Sequence, residues 1–172
     1  FASKDVADGK AITITGVTIT GTGSGNYTAT QQTGVTANVT AKALTITGST
    51  GTNRIYDGTT TAGLGGTPTL LASEAAGAGT TADGKPYSVD TVSAGGTAAG
   101  TFASKDVADG KAITITGVTI TGTGSGNYTA TQQTGVTANV TAKALTITGS
   151  TGTNRIYDGT TTAGLGGTPT LL

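Results

Sequence analysis

Lys42 to Thr60 reads KALTITGSTGTNRIYDGTT, and the same residues return without change as Lys143 to Thr161. Working outward, the identity runs from Phe1/Phe102 to Leu71/Leu172, so residue n and residue n+101 agree at every shared position. A period this long implies one small domain per repeat rather than one coil of a solenoid. A unit of 101 residues can bury a modest core of its own. The chain holds one full period and most of a second. It begins and ends within a repeat, as a window on a longer tandem array would.

Composition narrows the class. Thr accounts for 43 of the 172 residues and Gly for 30. Thr is β-branched and favours extended backbone, while Gly interrupts it, so the pair predicts short strands with frequent turns. Charge is sparse and balanced, with 9 basic and 9 acidic residues. No basic patch is available to neutralise phosphates, so nucleic acid is not an expected partner. There is no Cys, His, Met or Trp. That excludes a disulfide framework, a thiolate metal site and the usual general base or thiol nucleophile. No apolar run is long enough to span a membrane as a helix, so membrane insertion is not expected.

Along the chain, Asp8-Gly9 marks a turn before AITITGVTIT at positions 11–20. Ile12 and Ile14 share one parity and Val17 and Ile19 the other, with Gly16 at the slip, which predicts a bulge or a bend. Gly21 to Gly25 reads as a loop and Asn26-Tyr27 opens a short strand. Val35, Ala37 and Val39 alternate. Leu44 to Thr47 reads as a strand, Gly48 to Thr52 as a loop, and Leu64-Gly65-Gly66 as a turn. Ser73 to Gly77 reads either as one helical turn or as irregular loop. Tyr87, Val89 and Thr91 alternate, and Gly95-Gly96 loosens the chain before Phe102. Roughly seven to nine short strands per unit predict an all-β fold of tandem, small β-sandwich-like modules, Ig-like or β-grasp-like.

Several of these stretches recur in a known family. Arg54-Ile55-Tyr56-Asp57-Gly58-Thr59-Thr60, Asp8-Gly9-Lys10-Ala11-Ile12-Thr13-Ile14, Gly25-Asn26-Tyr27-Thr28, Ala37-Asn38-Val39-Thr40 and Lys42-Ala43-Leu44-Thr45-Ile46 together resemble the YDG-type repeat of large bacterial surface adhesins, of the filamentous haemagglutinin and autotransporter sort. The resemblance covers essentially the whole period; Ala72 to Thr101 fits it least well. It implies a β-rich tandem module in a secreted, extracellular stalk or fibre on the bacterial cell surface, where adhesion and biofilm formation take place. It carries over no catalytic residue. On this alignment residues 42–142 form one complete module, residues 1–41 the back part of a preceding one, and residues 143–172 the front part of a following one.

Each candidate site has a plainer structural reading. Tyr56-Asp57-Gly58 and Asn26-Tyr27 could hold a sugar, but a tyrosine anchoring a turn, with Asp57 accepting backbone amides and Gly58 at positive φ, explains them more simply. Asp5 and Asp8 invite calcium, yet two acids beside Lys4 and Lys10 fall short of the six to eight oxygens calcium takes. Lys42 is the nearest candidate for an internal Lys–Asn isopeptide bond. The Thr-x-Thr runs raise ice binding, but the long period and Gly16 break the flat array that would need.

The sequence therefore predicts a non-enzymatic spacer with no catalytic, cofactor or metal residue. The residues expected to matter are structural: Ile12, Ile14, Leu44, Ile46, Ile55, Tyr56 and Phe102 for the core, Gly9 and Gly58 for turns. Its partners are neighbouring identical repeats. The alternatives are a self-assembling filament subunit joined to other copies by inter-chain strand pairing, and a weak glycan-binding module acting by avidity.

Overall fold

The computed structural model describes all 172 residues. Its regular structure is strand, apart from two 3-10 turns at Ser24–Asn26 and Ser125–Asn127. Seven strands form one sheet: β3 (Lys42–Thr52), β4 (Arg54–Ile55), β5 (Thr61–Leu70), β6 (Thr91–Phe102), β7 (Ala108–Thr123), β8 (Tyr128–Thr131) and β9 (Thr137–Thr141). Their order across the sheet is β4-β9-β7-β6-β5-β3-β8. Only Asn53 separates β3 from β4, yet these strands stand near opposite ends of the order. The sheet therefore curls into a half-barrel whose two ends meet along β3–β4. The seam is parallel: Lys42–Thr45 pairs with Tyr128–Thr131, and Arg54–Ile55 with Val140–Thr141.

The all-β expectation is met, but the strands do not divide into the two facing sheets of a sandwich. One sheet covers its own apolar face by curling over it. Ile46, Ala62, Phe102, Ile113, Ile115, Val118, Val136, Ala138 and Val140 fill the interior. The parity slip lies where the sequence puts it. Gly117, the copy of Gly16, has φ +84°. The β6–β7 register shifts there, with Gly96 opposite Val118 and Ala99 opposite Thr116. The shift lets Ile113, Ile115 and Val118 all face inward despite their mixed parity.

Other glycines do something different from what the sequence suggests. Gly48 to Thr52 and Leu64 to Gly66, expected as loop and turn, lie inside β3 and β5 and pair with each other. A Cβ on Gly66 would lie 2.1 Å from the Gly48 carbonyl oxygen, so glycine here permits a bulge and close backbone approach. The Ala/Gly-rich stretch before Phe102 is the twelve-residue β6, between β5 and β7. Gly95 lies against Thr121 and Gly100 against Ile113, and the pairing on both edges overrides the weak strand propensity of Ala and Gly. Ser73 to Gly77 forms no helical turn. Glu74 N–H donates to the Pro86 carbonyl (2.9 Å) and Ser88 N–H to the Glu74 carbonyl (2.7 Å), so residues 86–88 claim the backbone that a helix would use. Ile55, expected in the core, is exposed, while Tyr56 is half-buried and packs against it.

The repeated segments show what completing the sheet contributes. β1 (Ala7–Ala11) and β2 (Thr36–Val39) repeat the β7–β9 pairing in the same register, Lys10 opposite Ala37 as Lys111 is opposite Ala138. β10 (Ile147–Thr153) and β11 (Gly164–Leu171) repeat the β3–β5 hairpin with the same bulge. Both pairs are isolated two-stranded sheets. Leu44 and Ile46 are 0% and 1% exposed; their copies Leu145 and Ile147 are 60% and 67% exposed. The expected core residues Ile12 and Ile14 are only half-buried, whereas Ile113 and Ile115 are buried.

Identical substitutions at the two copies should therefore differ in cost. Ile46→Ala should lower the unfolding free energy by about 2–5 kcal/mol. Ile147→Ala should stay within about 0.5 kcal/mol of the parent. Chemical denaturation of both variants followed by circular dichroism checks this.

Candidate functional site

The side chains with the most chemistry meet at the start of β3. Lys42 is buried, and its Nζ lies 2.8 Å from Glu74 Oε1 and 2.9 Å from Asp83 Oδ1. The same ammonium sits 4.1 Å from the centre of the Tyr87 ring. Burial pushes Lys42 down, but the hydrogen bonds to Glu74 and Asp83 outweigh it and hold the amine well above the ordinary lysine range. The Lys42 ammonium, then the Lys85 backbone N–H, hold Asp83 well below the ordinary carboxylate range. This clasp fastens β3 to the irregular segment at residues 72–90.

A second cluster joins the first hairpin to the seven-stranded sheet. Lys4 Nζ lies 2.6 Å from Asp90 Oδ1. Val6 N–H donates to Asn127 Oδ1 at 2.9 Å, and Asn127 Nδ2 donates to Asp5 Oδ1 at 3.1 Å. Tyr128 OH donates to Asp90 Oδ2 at 2.8 Å and accepts from Tyr87 N–H at 3.1 Å. Burial pushes the Asp90 carboxyl up, but hydrogen bonds from Lys4 and Tyr128 outweigh this and keep it below its ordinary range. A cleft of about 730 Å³ opens here, with Lys4 and Val6 on one side and Tyr87, Asp90, Asn127 and Tyr128 on the other. The lysine and asparagine of this junction belong to repeated segments, whereas Asp90 comes from the stretch that occurs once.

The motifs singled out from the sequence take structural places. Asp57 Oδ1 accepts from Thr59 N–H (2.9 Å) and Thr59 Oγ1 (2.9 Å), and Oδ2 accepts from Arg54 Nη1 (2.7 Å). The Thr59 N–H comes first in holding Asp57 below its ordinary range. Gly58 has φ +83°. The same turn forms at Arg155 to Thr160, where Arg155 and Asp158 lie 2.8 Å apart while Tyr157 is 92% exposed. The motif is thus a locally closed turn that needs no tertiary support. Tyr56 OH accepts from Lys105 Nζ at 3.1 Å. Tyr128 is 8% exposed, while its copy Tyr27, with no Asp90 to meet, is 71% exposed. Asn38 Oδ1 accepts from Gly9 N–H at 2.8 Å, as Asn139 does from Gly110. Asp5 pairs with Lys4 and Asn127, and nothing brings Asp8 to it as a second ligand.

Lys42, the nearest candidate for a Lys–Asn bond, meets the carboxylates of Glu74 and Asp83 and no asparagine. Glu74, Asp83 and Asp90 are the residues the sequence reading passed over. A signal for them existed: they are the only acids in the unrepeated stretch from Ala72 to Thr101, and each has a lysine partner.

Taken together, the turn motif, the curled sheet and these two ion-pair clusters define a β-rich unit, with the clasp holding residues 72–90 to β3 and the second cluster holding residues 4–6 to the sheet. The chain belongs to the YDG domain family, whose model matches residues 1–34 and 40–135. The second match lies almost wholly within the residues that build the seven-stranded sheet. Neither a curated protein nor a solved structure matches the chain.

Two outcomes test this geometry. Tyr128→Phe leaves Asp90 and the Tyr87 N–H short of a partner and should cost about 1–3 kcal/mol. Tyr27→Phe should be neutral to within about 0.5 kcal/mol by the same denaturation measurement. Asp90 is depressed when folded, so the folded form binds fewer protons there than the unfolded chain. The stability it contributes is complete above about pH 4 and is lost as pH falls toward its folded value. The thermal midpoint should be level from neutral pH down to that point and then fall, and Asp90→Asn should flatten the fall.

Proposed function

We propose that the chain is part of an extracellular spacer, a tandem array of modules that carries an adhesive region away from a bacterial surface in the manner of the large filamentous adhesins. The single observation that supports this best is the junction: Lys4, Asp5 and Val6 of one repeat engage Asp90 and Asn127 of the next. Because the units are identical, each junction in an array repeats the same contacts. Successive modules then hold a set angle, and the array is a stiff rod. In this reading residues 42–142 are one module, the flanking segments are parts of its neighbours, and length is the useful property. No residue is assigned a catalytic or cofactor role, and membrane and nucleic acid are not partners.

A second reading is favoured by Leu145, Ile147, Ile156 and Tyr157, which are exposed at one end of the chain. These residues could be covered by another copy, making the chain a filament subunit. A glycan-binding role has less support, since in the seven-stranded unit Tyr56 and Tyr128 are taken up by Lys105 and Asp90.

An array of several repeats, imaged at low concentration, should show a rod that advances roughly 30–40 Å per repeat, as expected for compact modules of this size. Asp90→Ala in every copy should shorten its persistence in small-angle scattering without unfolding the modules. Thick, concentration-dependent fibres would instead make self-assembly the function.

A further inference from the structure

We propose that Lys42 and Asp83 condense, once the sheet has closed, into an amide that covalently ties β3 to the 72–90 segment, with Glu74 relaying the protons. The Lys42 amine and the Asp83 carboxyl already touch, at 2.9 Å. Glu74 touches the same nitrogen at 2.8 Å. Glu74 Oε2 and Asp83 Oδ2 face one space: a Cβ on Gly79 would lie 2.3 Å from the first and 2.6 Å from the second, so both oxygens converge on the room that this glycine leaves open. Asp83 Oδ1 accepts the Lys85 N–H at 3.0 Å. That donor is placed where negative charge would develop.

The step balances without a co-reactant. Glu74 passes a proton from the Lys42 ammonium to Asp83 Oδ2, turning the ion pair into an amine and a carboxylic acid. The amine attacks Asp83 Cγ, and the developing charge rests on Oδ1 beside the Lys85 N–H. Glu74 then passes a second proton from the nitrogen to Oδ2, which leaves as water. A C–N bond forms, a C–O bond breaks, nothing is oxidised or reduced, and Glu74 ends as it began. Two effects favour the product. The reacting groups are held together by the fold, which replaces a bimolecular encounter. The product is also neutral, whereas the ion pair is kept in a largely buried site at a desolvation cost. Lys143 provides an internal control, because its copy of the sequence is exposed and has no acid partner.

The test is mass spectrometry of the full chain. The intact mass should be lower than the sequence mass by one water. After denaturation and trypsin, the segment Ala11–Arg54 should be uncleaved at Lys42 and joined to Ile55–Lys105, since Lys85 precedes proline. Cleavage after Lys143 should be normal. Lys42→Arg and Asp83→Ala should each restore the full sequence mass, and Glu74→Gln should do so while leaving both reacting groups in place. An intact mass equal to the sequence overturns the proposal. So does a water loss with normal cleavage after Lys42, which would mark a succinimide at one of the Asp-Gly pairs, Asp83-Gly84 among them. Both readouts come from the parent chain, so the result does not depend on any variant folding.

Discussion

The structure depends on one seam, where β3 and β4 pair in parallel with β8 and β9. The two sides of this seam lie more than eighty residues apart, as the Ser49–Gln133 and Asn53–Asn139 hydrogen bonds show. Gln133 grips both the N–H and the carbonyl of Ser49, so a side-chain amide serves as the missing strand partner. Until these distant segments meet, Leu44 and Ile46 have nothing to pack against. Closing so long a loop costs entropy that only the completed core offsets, which makes the unit cooperative across its whole length.

The repeated segments separate local from non-local structure within one molecule. The RIYDGTT turn, the bulged β3–β5 hairpin and the β7–β9 pairing, with Asp109-Gly110 at a bulge inside β7 rather than in a turn before it, form both inside the closed sheet and outside it. Their hydrogen bonds run between near neighbours or across one pair of strands. The buried tyrosine and the buried isoleucines occur only where the sheet is closed. Gln31 bonds the Val17 backbone as Gln132 bonds that of Val118, yet Val17 is exposed and Val118 buried. A local clamp can form without burying what it clamps.

The polar clusters follow the same division. The chain has few charges, and the unrepeated stretch holds three acids, all used to fasten lysines that begin or precede the sheet. This stretch looks least like a strand module, but it supplies both the central strand β6 and the carboxylates of the clasp and the junction. Its weak sequence character reflects these two tasks. Small residues let β6 lie close against Thr121 and Ile113, and irregular backbone lets Glu74 and Asp83 converge on one ammonium.

By itself the sequence determined the period, the all-β class, the positive φ of Gly16 and Gly117, and the turn around Asp57, because each rests on local alternation, glycine conformation or a short-range hydrogen bond. It misread Gly48, Gly65-Gly66 and Gly95-Gly96 as breaks. Whether a glycine ends a strand or lets two backbones approach depends on what lies opposite. Only the tertiary structure decided that the strands form one curled sheet rather than two facing ones, that Ile55 lies outside while Val140 lies inside, and that Lys42 meets Glu74 and Asp83. Those outcomes depend on which distant segments share the interior, and a residue has the same neighbours in sequence whether or not the sheet closes over it.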